Sequence, residues 1–176
     1  MPEIQRTSIE GVLIAEPDVH SDDRGSFAEV WRKEWLPAGG PMVQANVSRK
    51  GRGSLVGLHY HLSQADFWHV IEGTADMVLY DLRADSSTKA RSLKLRLGAQ
   101  APRGVYIPSG VAHGFLAATD LVLCYLVDRY YNPDDELGVA WDDPDLGIDW
   151  GTVEPVLSQR DQQNPRLRDL PAVRPA

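Results

Sequence analysis

Leu55-Val56-Gly57-Leu58-His59-Tyr60-His61 is an apolar and aromatic run that carries two histidines. Side chains alternate across an extended strand, so His59 and His61 project from one face. Later in the chain, Pro108-Ser109-Gly110-Val111-Ala112-His113 makes a turn and delivers a third histidine into another apolar run. If both strands line one barrel, three imidazoles converge on its interior. Such a cluster suits a proton-transfer site or a metal site, and these residues leave the two open.

Working outward, short apolar, β-branched or aromatic runs recur at residues 12–15, 27–31, 42–47, 55–61, 67–71, 76–82, 93–97, 105–107, 114–117 and 121–127. Turn formers separate them: Asp22-Asp23-Arg24-Gly25, Gly51-Arg52-Gly53, Glu72-Gly73, Pro102-Arg103-Gly104 and Pro108-Ser109-Gly110. Many short strands at this spacing predict an all-β sandwich or barrel. Helical periodicity is weak, with short candidates only at 33–36 and 134–136. From Asp128 the chain turns polar. Residues 160–176 hold Pro165, Pro171, Pro175 and several arginines. That segment reads as an arm over the barrel, an arm on a partner, or a disordered tail. With no internal repeat and 176 residues, enough for one sizeable core, residues 1–176 read as a single domain.

A formal net charge of -7 argues against nonspecific nucleic-acid binding, which needs an excess of Lys and Arg. A small anionic ligand stays possible where a few arginines cluster. The single cysteine, Cys124, forms no intrachain disulfide and fits a reducing compartment. Residues 1–11 lack the apolar core of a secretory signal, and no apolar run approaches the ~20 residues of a membrane span. The expectation is a cytoplasmic protein without membrane or nucleic-acid partners.

An ordered series of motifs runs from about Ile9 to Asp161. It comprises Asp23-Arg24-Gly25-Ser26-Phe27, Val43-Gln44-Ala45-Asn46-Val47-Ser48, Gly57-Leu58-His59-Tyr60, Tyr80-Asp81-Leu82-Arg83 and Tyr106-Ile107-Pro108-Ser109-Gly110-Val111-Ala112-His113-Gly114-Phe115. After these come Tyr125, Tyr130-Tyr131-Asn132-Pro133, Trp141-Asp142-Asp143-Pro144, Leu146-Gly147-Ile148-Asp149-Trp150 and Leu157-Ser158-Gln159-Arg160-Asp161. The series resembles the dTDP-4-dehydrorhamnose 3,5-epimerase family. The resemblance implies a double-stranded β-helix (jelly-roll, cupin) fold and a homodimer that exchanges N-terminal strands. It also implies epimerisation of a nucleotide-linked 4-keto-6-deoxy sugar at C3, C5 or both, without a cofactor. By the same resemblance His59 is the base, Asp161 its orienting partner and Tyr131 the acid that returns a proton to the opposite face. Arg24 and Phe27 would contact the nucleotide diphosphate, often from the neighbouring subunit. Gln44 and Asn46 would bind the nucleobase or sugar edge, and His113 and Tyr125 would line the pocket.

These residue types suit the chemistry. A proton α to a ketone needs a base with a pKa near the operating pH and stabilisation of the developing enolate oxygen. Histidine titrates in that range. Inversion needs groups on opposite faces, and a phenol can be reprotonated by solvent.

The chain departs from the family pattern at three positions. Val56 stands where the family usually has arginine, Asp66 where it has the lysine aimed at the 4-keto oxygen, and His61 where it has glutamine. The order His59, His61, Asp66, Gly73 and Pro108-Ser109-Gly110-Val111-Ala112-His113 is similar to that of metal-binding cupins. A second expectation is therefore a divalent transition-metal site at His59, His61, Asp66 and His113, serving an isomerase or an oxygenase. A third is a nucleotide-sugar binding protein that has lost catalysis. His69 and His20 read as structural and loop residues, and one of Tyr130 and Tyr131 is expected in the core.

Overall fold

The computed structural model describes residues 2–36, 41–152 and 154–176. The run that opened the sequence reading forms strand β6 (Leu55–Tyr60), and the run carrying His113 forms β11 (Val111–Ala117), its antiparallel neighbour. The remaining strands are β1 (Glu3–Arg6), β2 (Leu13–Glu16), β3 (Val19–Asp22), β4 (Gly25–Ala28), β5 (Gln44–Lys50), β7 (Asp66–Glu72), β8 (Thr74–Asp81), β9 (Ser92–Gly98), β10 (Gly104–Ile107), β12 (Leu121–Val127) and β13 (Leu137–Gly138). Helix is confined, among the described residues, to short 3-10 turns. No helix among them is long and apolar enough to cross a membrane.

Two antiparallel sheets face one another. One has the order β1-β2-β10-β7-β12-β5 and the other β13-β6-β11-β8-β9, while β3 and β4 form a separate hairpin. Strand neighbours far apart in sequence are the mark of a jelly-roll. The core between the sheets takes Trp68, Val70, Val105 and Leu123 from the first sheet and Met77, Leu79, Val111 and Phe115 from the second. Period-2 alternation decides which residues enter it. On β7, Trp68 and Val70 point inward, while Phe67 packs with Tyr106 and Trp35 on the outer side.

A second apolar layer lies outside the five-stranded sheet, where Leu58, Tyr60, Tyr80, Trp150 and Val173 pack together. Much of the Pro- and Arg-rich C-terminal segment lies here. Val173 is buried, its carbonyl accepts from the Ala84 N–H at 2.8 Å, and the Pro165 carbonyl accepts from the Ala140 N–H at 2.8 Å. Asp81, from one of the sequence motifs, closes the turn after β8. Its carboxylate accepts from the Arg83 guanidinium and from the Ser86 and Thr88 hydroxyls. That motif is structural.

The β6–β11 ladder contains a bulge that aims the site. His113 pairs with His59, but Phe115 pairs with Val56, so two residues of β6, Gly57 and Leu58, oppose one of β11, Gly114. Leu55 and Leu58 therefore both face the outer layer, and Val56 packs against the inner core. Gly57, inside the bulge, has φ +109°, and an added Cβ would lie 2.7 Å from the His113 carbonyl oxygen. Only glycine fits both constraints.

Candidate active site

His59 sits at the end of β6 with its Nε2 2.5 Å from Asp161 Oδ1. The two residues are 102 positions apart, and the contact exists because Asp161 opens a 3-10 turn (Asp161–Gln163) beside β6. The Asp161 side chain is 3% exposed and that of His59 17%, so the carboxylate lies behind an imidazole that reaches the surface. The Ser158 hydroxyl donates to Asp161 Oδ2 at 2.8 Å, and the Asp161 N–H donates back to Ser158 Oγ at 3.1 Å. Burial pushes the Asp161 carboxyl up. The hydrogen bonds from His59 and Ser158 and the positive charges of His59 and Arg160 outweigh it and hold the group below its ordinary value. With Nε2–H given to this carboxylate, Nδ1 is the ring nitrogen left to take a proton.

His61 and His113 form a second cluster with Asp66. All three are buried, and each offers one ligand atom within 4.8 Å of the others. His61 Nδ1–H donates to the Asp135 carbonyl at 2.7 Å, and His113 Nδ1–H to the Val111 carbonyl at 3.0 Å. The Asp135 side chain accepts from the Leu62 and Ser63 N–H groups, which pins its turn against the chain following β6. Asp66 Oδ1 accepts from Gln64 Nε2 at 2.8 Å, and Oδ2 from Trp68 Nε1 at 3.0 Å. Burial pushes the His113 imidazolium pKa down to about 4; positive charge on His61 and His59 adds to this, and the Asp66 carboxylate opposes it.

The three-imidazole expectation is thus corrected. His61 and His113 meet, with ring centroids 5.5 Å apart, while His59 turns its Nε2 to Asp161. Of the expected metal set His59, His61, Asp66 and His113, the structure gathers the last three.

Other predicted residues fall in two groups. Asn46, Tyr125 and Trp68 lie in one cross-strand row facing the interior. Burial, then the negative charges of Asp66 and Glu136, push the Tyr125 phenol up, so it stays protonated. Gln44 donates to Asn46 Oδ1 at 2.9 Å and accepts from the Tyr131 N–H at 3.4 Å. The second group is exposed in the single chain. Arg24 places its guanidinium on Asp22, with Nη2 2.6 Å from Oδ2. Phe27 is 70% exposed on the same hairpin. Tyr131 is 66% exposed and Tyr130 75%, so neither is core, against expectation. Both lie after the end of β12, just before the 3-10 turn at Pro133–Asp135.

Sequence reasoning missed Trp68, Ser158, Asp135 and Glu136. Trp68 stands two residues after Asp66 and so shares its face, a signal that was readable. Glu136 Oε1 lies 3.7 Å from His61 Nε2, and its other oxygen takes the Arg160 guanidinium at 2.6 Å. Nothing in the local sequence marks that contact.

A jelly-roll that presents a carboxylate-paired imidazole beside a buried polar interior defines a cupin-like protein equipped to move protons. The sequence profile described as dTDP-4-dehydrorhamnose 3,5-epimerase matches residues 6–169. The chain belongs to that family, whose members are epimerases. It is 37% identical over 175 residues to a dTDP-4-dehydrorhamnose 3,5-epimerase from Methanothermobacter thermautotrophicus, covering 94% of this chain and 95% of the relative. A 4-keto-6-deoxy sugar epimerase from the novobiocin cluster of Streptomyces spheroides superposes with TM-score 0.92 at 34% identity, covering 99% of this chain and 94% of the other. A dTDP-6-deoxy-D-glucose-3,5-epimerase from Legionella pneumophila, in complex with dTDP-4-keto-L-rhamnose, gives TM-score 0.93 at 32% identity, covering 100% and 99%.

Proposed function

We propose that this chain epimerises a dTDP-linked 4-keto-6-deoxy sugar at C3, C5 or both, within deoxysugar biosynthesis. The observation that carries the reading is the His59–Asp161 pair, an imidazole at the surface backed by a buried carboxylate. His59 Nδ1 takes the proton α to the ketone. The C–H electron pair becomes the enolate double bond, and the carbonyl π pair moves onto oxygen. Asp161 steadies the imidazolium from its buried position, which at an effective dielectric near 20 is worth about 4 kcal/mol of transition-state energy. Tyr131, exposed beyond β12, returns a proton to the opposite face and is reprotonated by solvent. Both half-reactions are proton transfers, so no redox cofactor enters them.

Gln44, Asn46, His113 and Tyr125 line the sugar and nucleotide path in this reading. Arg24 and Phe27 act from a second copy of the chain. The exposed β3–β4 hairpin, with Phe27 70% and Val19 47% exposed, supports a homodimer in which it reaches the partner's site. An arginine fork suits a diphosphate, and Asp22 would give up Arg24 on binding. An activated nucleotide sugar and a lone cysteine suit the cytoplasm.

The test is deuterium wash-in from D2O with dTDP-4-keto-6-deoxyglucose, followed by NMR. Deuterium at C3, C5 or both, abolished in His59→Ala, is the expected result. Binding of the nucleotide sugar with no wash-in would overturn the epimerase reading in favour of a binding protein.

A further inference from the structure

We propose that His61, Asp66 and His113 bind one divalent transition-metal ion, which acts as the electrophile for the sugar's keto oxygen. The ion's role rests on the epimerase reading above; the site itself does not.

The donors come from three separate elements: the residue following β6, the first residue of β7, and β11. Their side chains are 5% exposed or less. Main-chain carbonyls accept but never donate, so the bonds to Asp135 and Val111 fix a proton on Nδ1 of each ring. In the neutral tautomer each Nε2 is then a bare lone pair. Both face the same carboxylate, His61 Nε2 at 3.9 Å from Oδ1 and His113 Nε2 at 3.8 Å from Oδ2. These separations are too long for hydrogen bonds. Two lone pairs aimed at a carboxylate repel it, and a cation between them turns repulsion into ligation. With bonds of ~2.0–2.2 Å, ligands at a tetrahedral ion lie roughly 3.4 Å apart. The three ligand atoms lie within 4.8 Å of one another, so binding an ion draws them together by up to about 1.4 Å.

The supporting shell is that of a metal site. Ligating histidines donate their other N–H to a carbonyl or carboxylate, and ligating carboxylates are themselves hydrogen-bonded. Here both imidazoles meet carbonyls, and Asp66 accepts from Gln64 and Trp68. Two nitrogens and one oxygen suit Zn²⁺, Fe²⁺, Mn²⁺ or Ni²⁺, and three protein ligands leave positions open for a substrate oxygen.

The location gives the ion its use. His59 is the direct cross-strand partner of His113, so base and ion would be neighbours without sharing a ligand. The groups around the site are mostly acidic: Asp66, Asp161 and Glu136, the last already paired with Arg160. An enolate forming there needs a positive partner. An ion held by His61, Asp66 and His113 would supply positive charge to the keto oxygen while His59 takes the α proton.

The experiment uses the full chain, stripped with chelator and dialysed against Zn²⁺ or Co²⁺. Bound metal is measured by mass spectrometry, and Co²⁺ ligation also by visible absorption. One equivalent is expected on the wild type. Affinity should fall about 100-fold or more in His61→Gln and Asp66→Asn, larger than the losses from supporting residues. Asp161→Asn should bind normally. Both triad changes are near-isosteric, and thermal melts check that the variants fold. No stoichiometric uptake by the wild type, or equal uptake by folded triad variants, overturns the site. Wash-in should slow at least tenfold in stripped protein and return on reloading. Unchanged wash-in after verified stripping overturns the electrophilic role. Loaded protein with no wash-in at all overturns the epimerase reading and leaves the site standing.

Discussion

Replacing Asp161 with asparagine tests the proton-transfer reading most directly. The amide can turn its oxygen to His59 Nε2–H and its NH2 to Ser158 Oγ, so the contacts at 2.5 and 2.8 Å keep their partners. What disappears is one negative charge, on a side chain 3% exposed. That charge matters when His59 becomes cationic. Two unit charges ~4 Å apart at an effective dielectric near 20 attract by about 4 kcal/mol. Each 1.36 kcal/mol is tenfold in rate, so Asp161→Asn should slow deuterium wash-in about 10³-fold. The loss belongs in kcat more than KM, because the cation forms during the reaction and not on binding. The assay is wash-in at saturating dTDP-4-keto-6-deoxyglucose, with circular dichroism to confirm the fold. A loss below tenfold, or one confined to KM, would show that the buried carboxylate does not stabilise a protonated His59.

Three further outcomes are expected. Tyr131→Phe should keep wash-in at the His59 face while epimer formation falls by about 10²-fold, the usual worth of a positioned proton donor; equal loss of both, or of neither, would move the acid role elsewhere. Gly57→Ala should destabilise by about 3 kcal/mol in urea unfolding, since a left-handed backbone and a 2.7 Å approach to the His113 carbonyl act together; near-wild-type stability would mean the bulge relaxes freely. Asp81 supplies a pH test. Burial pushes its carboxyl up, but hydrogen bonds from Arg83, Ser86 and Thr88 hold it at about 2. A depressed folded value stabilises above the unfolded value near 3.8, and that contribution is lost as pH falls through about 2. It amounts to at most about 2.5 kcal/mol, so the stability gap between wild type and Asp81→Asn should narrow between pH 4 and 2; a constant gap would exclude the charge as its source.

The all-β class was legible because it depends on local signals. Alternating runs such as residues 67–71 choose a buried face, and Gly and Pro clusters end them, before any long-range contact forms. The ordered motifs identified the family, and with it the implied roles of His59 and Asp161. Not every motif belongs to the candidate site: Asp81-Leu82-Arg83 closes a turn.

Other features were set by packing across the chain. Strand parity put His59 and His61 on one face, but it carried no information on which carboxylate each would meet. That depended on a 3-10 turn beginning at Asp161 and on the turn at Asp135, whose carbonyl and side chain lock His61 and the residues after it. Tyr131 likewise is exposed in the segment after β12, although it stands in a family motif. A sequence records side-chain types and local periodicity. Contacts more than seventy residues apart arise when two sheets close on one another, and only the tertiary structure divided the expected histidine cluster into a His59–Asp161 pair and a buried His61–Asp66–His113 triad.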